Sequence, residues 1–359
     1  MPLADRVLMG PGPSNPYPEV AAAFARPLLG HLDPDFLSLL DETCTQLRTV
    51  FGTTNDLTLP ISGTGSAGME AAFVNLVRPG ATVVIGVNGV FGSRMCDVAE
   101  RCGAEVVRID EAWGQPIDTE RLLAAHPSPA VIAVVHAETS TGVRNDIQAL
   151  GAGKGDALLL VDCVTSLGGI PVRIDDWGVD IAYSGTQKCL GVPPGLAPLT
   201  VGERARERMV ERSPSWYLDL RQLADYAPAG SARKYHHTAP TAMITALHAG
   251  LGAVLDEGLE RSYARHAACG ESLQRGIEAL GFTLFAAEGH RLPQLTTAWL
   301  PDGTDDVAVR AALLEDFGIE IGGGIGDYAG RVWRVGCMGH TARRRNVTLL
   351  LAALAEVMG

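Results

Sequence analysis

The feature that most constrains this chain is a series of short apolar segments, Thr82–Val87, Glu105–Ile109, Ala130–Val135, Ala157–Val161 and Asp180–Tyr183, separated by polar or helical stretches. They are mostly continuous in their apolar character rather than alternating. Both faces of each strand must then be covered, and with helical patterns between them the segments belong in a parallel sheet sandwiched by helices. The fold class is therefore α/β. In such sheets ligands gather beyond the carboxyl ends of the strands. Three of these ends carry polar residues: His136-Ala-Glu138-Thr139-Ser140-Thr141-Gly142, Asp162-Cys-Val-Thr-Ser166 and Ser184-Gly-Thr-Gln187-Lys188.

The chain has 359 residues, more than one core usually serves, so two domains are expected. Residues 9–18 are too rich in proline and glycine for a helix or central strand, and 1–18 reads as an extended arm lying on something else. A large domain spans 19–257. It opens with helical patterns at Glu19–Leu29 and Phe36–Phe51, the second started by Asp33-Pro34, and after Pro194 it continues through helix-like segments to a long apolar helix at Thr241–Leu255. From 258 to 359 the pattern becomes a smaller α+β domain: helices at Ser262–Leu280, Val307–Phe317 and Ala342–Val357, strands near Phe282–Phe285, Thr296–Leu300, Ile319–Ile321 and Val332–Val335.

Charge and cysteine usage narrow the function classes. Lys and Arg number 29 against 41 Asp and Glu, a net charge of −12, and the densest basic run, Arg343-Arg344-Arg345, is short enough to face solvent. Nucleic acid is not an expected partner. Seven cysteines include no CxxC pair and cannot all pair within the chain, which suits reduced thiols in a cytoplasmic protein. The N-terminal residues lack an apolar signal core and no apolar run reaches about 18 residues, so no membrane is expected. The final Val-Met-Gly is not a peroxisomal address.

Leu57–Ser62 reads as a short strand, followed by Gly63-Thr-Gly65-Ser-Ala-Gly68 and a helical Met69–Val77. Strand, glycine turn and helix aim backbone N–H groups and the positive helix end at an anion, so a phosphate site is expected. The turn also spells GxGxxG, the dinucleotide fingerprint of NAD-dependent oxidoreductases. That reading wants an acid about 20 residues on, at the end of the next strand; Thr82–Val87 ends instead in Asn88-Gly-Val-Phe91-Gly.

Lysine is ordinarily a solvated surface charge. Lys188 follows a buried strand and the small residues Ser184-Gly-Thr186, while Val192-Pro-Pro-Gly195 stops any helix from carrying it away. A lysine so placed loses hydration, its pKa falls, and its amine becomes available for a Schiff base. Asp162 directly follows an apolar run, where a carboxylate is expensive to bury without a cationic partner. It can cap the following turn, or it can sit beside a pyridine nitrogen and keep it protonated, which makes the ring an electron sink. Arg334 lies mid-strand: facing outward it is a solvated charge, facing inward a fork for a carboxylate. The adjacent His236 and His237 have no suitably spaced further ligands, and no metal is expected.

With these residues assembled, the sequence resembles the class V (fold type I) pyridoxal-phosphate aminotransferases, most closely the alanine–glyoxylate and serine–pyruvate aminotransferase group. The similarity runs from Gly10-Pro-Gly-Pro-Ser-Asn15 through Ser62-Gly-Thr-Gly65, Glu138-Thr-Ser-Thr-Gly142, Val161–Gly169, Ser184–Lys188 and Tyr235-His-His-Thr238 to Val332-Trp-Arg-Val-Gly336. It implies a large domain with a mostly parallel seven-stranded sheet, a smaller α+β C-terminal domain, and pyridoxal 5′-phosphate as cofactor. It further implies Lys188 as the Schiff-base lysine, Asp162 as partner of the pyridine nitrogen, and Thr64, Gly65 and Gln187 as phosphate holders beside Ser66. By the same resemblance Phe91 stacks on the ring, Thr139 lies near the ring hydroxyl, and Arg334 binds the substrate carboxylate. Asn15, on the arm, is a second expected substrate contact. Tyr235 and Thr238 match positions that reach the phosphate of the neighbouring subunit, implying a homodimer with shared active sites.

The implied reaction is transamination between a small amino acid, alanine or serine, and a small 2-oxo acid, glyoxylate or pyruvate. No second arginine is evident for a dicarboxylate. Phe91 stands where close relatives often have tryptophan, and Ser66 where some have histidine. Ureidoglycine–glyoxylate aminotransferases share the Lys188-Cys189 pair and an aromatic like Phe91, but tend to place asparagine where this chain has Tyr235. A pyridoxamine–pyruvate aminotransferase, a cysteine desulfurase using Cys337, and a non-catalytic relative are further alternatives, and Cys189 has no assigned role.

Overall fold

The computed structural model of the protein describes residues 4–226 and 233–359. Its centre is a seven-stranded sheet formed by β1 (Leu57–Ser62), β2 (Thr82–Val87), β3 (Glu105–Asp110), β4 (Val131–Val135), β5 (Leu158–Asp162), β6 (Ile181–Tyr183) and β7 (Leu196–Val201), in the spatial order β1-β7-β6-β5-β4-β2-β3. The neighbours from β6 to β3 all pair in parallel, whereas β7 is antiparallel to both β6 and β1. Two reversals restore the direction of β1, so its carboxyl end opens on the same edge as those of β2, β4, β5 and β6. That edge is where the polar strand ends predicted from the sequence converge.

Strand β7 corrects the expectation of helix-like structure directly after Pro194. Its sequence, Leu-Ala-Pro-Leu-Thr-Val, is apolar, but Pro198 argues against a central strand. The register resolves this: Pro198 stands opposite Pro60, and facing prolines fit only a non-hydrogen-bonded site of an antiparallel ladder. The helix after β1 also begins earlier than its apolar run, as α3 (Gly65–Leu76). Gly68 is taken into it because a Cβ there would lie 3.0 Å from Tyr183 Cβ and 3.1 Å from Ala197 Cβ, so the helix packs directly on β6 and β7.

Helix α1 (Pro18–Phe24), α2 (Pro34–Phe51) and α4 (Val90–Arg101) complete the amino-terminal layer. In α2 the Asp33 carboxylate accepts from Asp35 N, Pro34 occupies the first turn, and Gly52 ends the helix at φ 62°, the start and stop devices the sequence displays. Helix α5 (Thr241–Glu257) packs on α1 and α2. At the amino end of β6, Asp180 is buried with Lys154 in an ion pair, accepts from Leu159 N at 2.7 Å and faces Arg204 at 3.3 Å. The strand that carries Lys188 is thus tied at its other end.

Helix α6 (Leu259–Ala279), α7 (Asp306–Asp316) and α8 (Arg344–Met358) cover a four-stranded antiparallel sheet of β8 (Thr283–Leu284), β9 (Leu295–Trp299), β10 (Gly322–Gly323) and β11 (Val332–Gly336), in the order β8-β9-β11-β10. The Arg343–Arg345 run faces solvent at the start of α8. Buried hydrophobics form one large cluster around the first sheet and a second around this one, with a small group including Cys189, Leu295 and Met338 between them.

The arm is not merely draped. Val7–Leu8 pairs in parallel with Ile319–Glu320, and Met9 is fully buried in the second cluster. Met9 N donates to Glu320 O at 2.8 Å and Gly336 N donates to Met9 O at 2.7 Å, so the arm adds backbone to the small sheet before crossing to the large one. Contact is close enough that a Cβ on Gly336 would lie 1.9 Å from Gly10 O. Gly336→Ala should therefore force arm and strand apart and cost about 1–3 kcal/mol, read as a lowered urea midpoint with the slope unchanged.

Candidate active site

The turn after β6 is built from internal bonds. Ser184 N donates to Pro198 O at 2.7 Å and Ser184 Oγ to Cys163 O at 3.0 Å, while Thr186 Oγ1 donates to Pro193 O at 2.7 Å. Lys188 emerges from this turn 8% exposed. The arm covers it: Ser14 N donates to Gln187 O at 2.9 Å, Ser14 Oγ to Lys188 O at 2.7 Å, and Lys188 Nζ donates to Pro11 O. Gly12, at φ +113°, leaves no space for a side chain, since a Cβ would meet Lys188 Nζ at 2.5 Å. Burial lowers the Lys188 ammonium to about 8; Arg334 pushes the same way, against Cys189 and Asp162.

Asp162 ends β5 opposite Tyr183 of β6 and is 3% exposed. Its Oδ1 accepts from Val164 N at 2.7 Å and its Oδ2 from Tyr183 Oη at 2.8 Å. Burial raises the carboxyl to about 6, and these two donors oppose the rise. Among the described residues no ammonium or guanidinium stands within ion-pair distance of it. A buried carboxylate in that position suits a cationic N–H supplied by a ligand.

Thr64 is the N-cap of α3 but makes no side-chain cap bond. The first amides of the helix are left for another acceptor, the arrangement that binds phosphate. Gly65 is closely walled, with a Cβ there falling 2.8 Å from Val164 Cγ2. Gln187 Oε1 is buried without a partner. Ser66 and Phe91 are joined by Arg94, whose Nη1 donates to Ser66 Oγ at 3.4 Å and whose guanidinium lies 4.8 Å over the Phe91 ring. The fully buried Glu138 fixes the start of α4, its Oε2 accepting from Phe91 N at 3.1 Å and Gly92 N at 3.3 Å, its Oε1 from Ser140 N at 3.0 Å. Burial raises the Glu138 carboxyl. Thr139, next in sequence, is buried.

Arg334 lies half-buried on β11, its Nε donating to Gly323 O at 2.8 Å. It feels the charge of Glu138 and is itself felt by Lys188, so its guanidinium faces the edge where the strand ends meet. Desolvation lowers its pKa. Asn15, expected as a substrate contact, has its side-chain amide bonded within the chain. Its Oδ1 accepts from Leu8 N at 2.9 Å and Thr341 Oγ1 at 3.2 Å, and its Nδ2 donates to Arg6 O at 2.8 Å. The amide braces the arm, because a backbone turn without regular pairing needs side-chain partners.

Tyr235 and Thr238 are not brought to Lys188 of their own chain. Tyr235 is 58% exposed, packs against His31, and sets its Oη 3.3 Å from Thr238 Oγ1. The histidines between them are bound into the surroundings: His236 stacks on Trp216 at 4.3 Å, and His237 Nε2 lies 3.0 Å from Ser62 Oγ. Sequence reasoning passed over Tyr183 and Pro11. A tyrosine ending an otherwise aliphatic strand, level with Asp162, was the available signal for the first; the role of Pro11 is purely tertiary.

These positions fit pyridoxal phosphate: a desolvated amine, a buried carboxylate lacking a cation, an uncapped helix start and an unpartnered Gln187 oxygen. The fingerprint reading of the glycine turn fails on topology, since β1 is an edge strand paired antiparallel rather than the central strand of a parallel unit.

Comparison with known proteins agrees. The family model for aminotransferase class V matches residues 15–328. The chain is 39% identical to the (S)-ureidoglycine–glyoxylate transaminase of Bacillus subtilis, covering 98% of this chain and 90% of that one. It is also 39% identical to the alanine–glyoxylate aminotransferase of Callithrix jacchus, covering 98% and 87%. Its structure superposes with a TM-score of 0.97 on the alanine–glyoxylate aminotransferase of a Nostoc species, at 46% identity over 100% and 97% of the two chains. The chain belongs to the class V aminotransferases and is a transaminase dependent on pyridoxal 5′-phosphate.

Proposed function

We infer that Lys188 and Asp162 are the catalytic pair and that the enzyme moves an amino group from alanine or serine to glyoxylate or pyruvate. The observation that carries this reading is the placement of a desolvated amine and a buried, cation-free carboxylate at one sheet edge. Asp162 holds a ring nitrogen protonated, steadied by Tyr183 and Val164 N. Thr64, Gly65, Ser66 and Gln187 hold the phosphate, Phe91 and Val164 bound the ring, and Thr139 lies by its hydroxyl. When bound, pyridoxal phosphate supplies an electrophilic carbon and an electron sink. Lys188 would hold the group through its neutral amine and, once freed by the donor, would move a proton from the donor Cα to the group in the first half-reaction and from the group to the acceptor Cα in the second. Arg334 anchors the carboxylate of both amino and oxo acid, so that the same Cα is presented in each direction.

Substrate size is read from Arg334, which pairs with no side-chain carboxylate among the described residues and whose charge is felt by Lys188. A monocarboxylate matches it. The relatives named for ureidoglycine and for pyridoxamine keep those donors as alternatives, and Tyr235 favours the alanine or serine reading. A desulfurase is disfavoured because Cys337 is fully buried and its thiol is raised well above the usual range. The exposure of Tyr235 and Thr238 supports a homodimer in which each serves the partner's phosphate. The seven free cysteines support a reducing, cytoplasmic setting. Among the described residues no helix is long and apolar enough to cross a membrane. We place the arm at 1–18, the large domain at 19–257 and the small domain at 258–359.

Borohydride reduction of the loaded enzyme should fix the cofactor on the peptide containing Lys188, and Lys188→Ala should lower transamination about 10²- to 10⁴-fold; near wild-type turnover in that variant would sink the assignment. Because the Lys188 amine is neutral above about 8 rather than above 10.5, cofactor capture by stripped enzyme should accelerate between pH 7 and 9, followed by absorbance. Arg334→Ala should lower kcat/KM for alanine by roughly 10- to 150-fold, the worth of a charge-assisted bond, with cofactor affinity unchanged. A donor-by-acceptor screen ranks alanine and serine against ureidoglycine and pyridoxamine.

A further inference from the structure

A cavity of about 400 Å³ lies apart from the residues assigned above, bounded by the end of β4, the loop after β5 and the His290 segment. His136 lines it. This residue is 3% exposed, its ring meets Trp177 edge-on at 5.4 Å, and its Nδ1 is buried with no hydrogen-bond partner among the described residues. Leaving such an atom unpaired costs about 1–3 kcal/mol. A single water would satisfy it, but the cavity is many times the roughly 30 Å³ that a water occupies.

The rim is cationic. Arg144 and Arg173 are both exposed; Arg144 reaches Gly289 O at 3.3 Å, and Arg173 stands 3.8 Å from the exposed Glu260. His290 adds an imidazole, its Nδ1 3.2 Å from Arg144 O. The one carboxylate on the wall, Asp146, already caps a short helix by accepting from Ala149 N at 3.1 Å. A neutral imidazole can donate one N–H, and burial together with Arg144 keeps the His136 ring neutral, its pKa down at about 3. Donor and charge favour an anion with more than one negative oxygen, and the volume admits a small one together with its water.

We propose that this cavity is a second ligand site, taking a small multiply charged oxyanion that accepts from His136 Nδ1 and is neutralised by Arg144 and Arg173. The site touches the catalytic edge through backbone: His136 N donates to Asp162 O at 2.9 Å, and Asn145 N donates to His136 O at 2.9 Å. Glu138 and Thr139 follow His136 directly in sequence. A bound anion therefore bears on the same strand end that carries the catalytic carboxylate. The proposal does not depend on the roles given to Lys188 or Arg334.

The test is calorimetric titration of the loaded enzyme, at constant ionic strength, with inorganic phosphate and separately with malonate. Wild type should bind at least one of them with a Kd of about 1 mM or tighter, and Arg144→Ala/Arg173→Ala should weaken that binding about tenfold or more. Both arginines are exposed, so the variant should fold and keep transamination within about twofold. Phosphate binding alone identifies a phosphoryl ligand, malonate binding alone a dicarboxylate. Absence of binding by both in wild type, or equal affinity in the double variant, overturns the proposal, the latter because the anion would then sit elsewhere, as malonate could at Arg334.

Discussion

Holding an amine out of water without a carboxylate to neutralise it is the constraint on which the rest of this structure turns. Lowering Lys188 from 10.5 to about 8 means that its charged form is disfavoured by roughly 3 kcal/mol, and the scaffold must supply that from elsewhere. It does so with rigidity. The turn before Lys188 is closed by its own hydrogen bonds, β6 is anchored at its far end by the buried Lys154–Asp180 pair, and the arm seals the amine from above. Asp162 is close enough to be felt but is itself tied to Tyr183 and Val164, so it does not collapse onto the lysine and quench it. Two groups that would pair in water are kept apart by the sheet register.

Much of this was legible in the sequence because it depends on local pattern. Continuous apolar runs gave the parallel strands, the glycine turn gave a helix start without a side-chain cap, and Asp162 and Lys188 stood out as charges where charges are costly. What the sequence hid was non-local. Pro198 disguised β7, since its tolerance depends on Pro60 lying opposite it, 138 residues away in the register. Gly68 looked like part of a turn but serves helix-on-strand contact with Tyr183 and Ala197. Asn15, in a motif that resembles a ligand-binding one, bonds to Leu8, Arg6 and Thr341, partners no spacing rule would propose.

Side-chain exposure likewise separates roles that sequence resemblance lists together. Gln187 and Asp162 are drawn inward, with polar atoms awaiting or holding partners, whereas Tyr235 and Thr238 face outward and bond to one another. A set of residues that reads as one site along the chain is therefore divided between an inward-facing edge and an outer surface. Glu138 belongs to neither group as a contact residue. By clamping the first amides of α4 it decides where the Phe91 ring can stand.

The arm has a geometric consequence. Met9 is bonded to β11 and to Glu320, and Pro11 accepts from Lys188, so two residues of chain, at most about 7 Å, join the sheet bearing Arg334 to the lysine. The two sheets are on a short leash. Any rotation of the small sheet longer than that reach must either peel Met9 from its strand or lift Pro11 from the amine, which makes the spacing between the strand bearing Arg334 and the Lys188 amine a property of the backbone rather than of the side chains that occupy it.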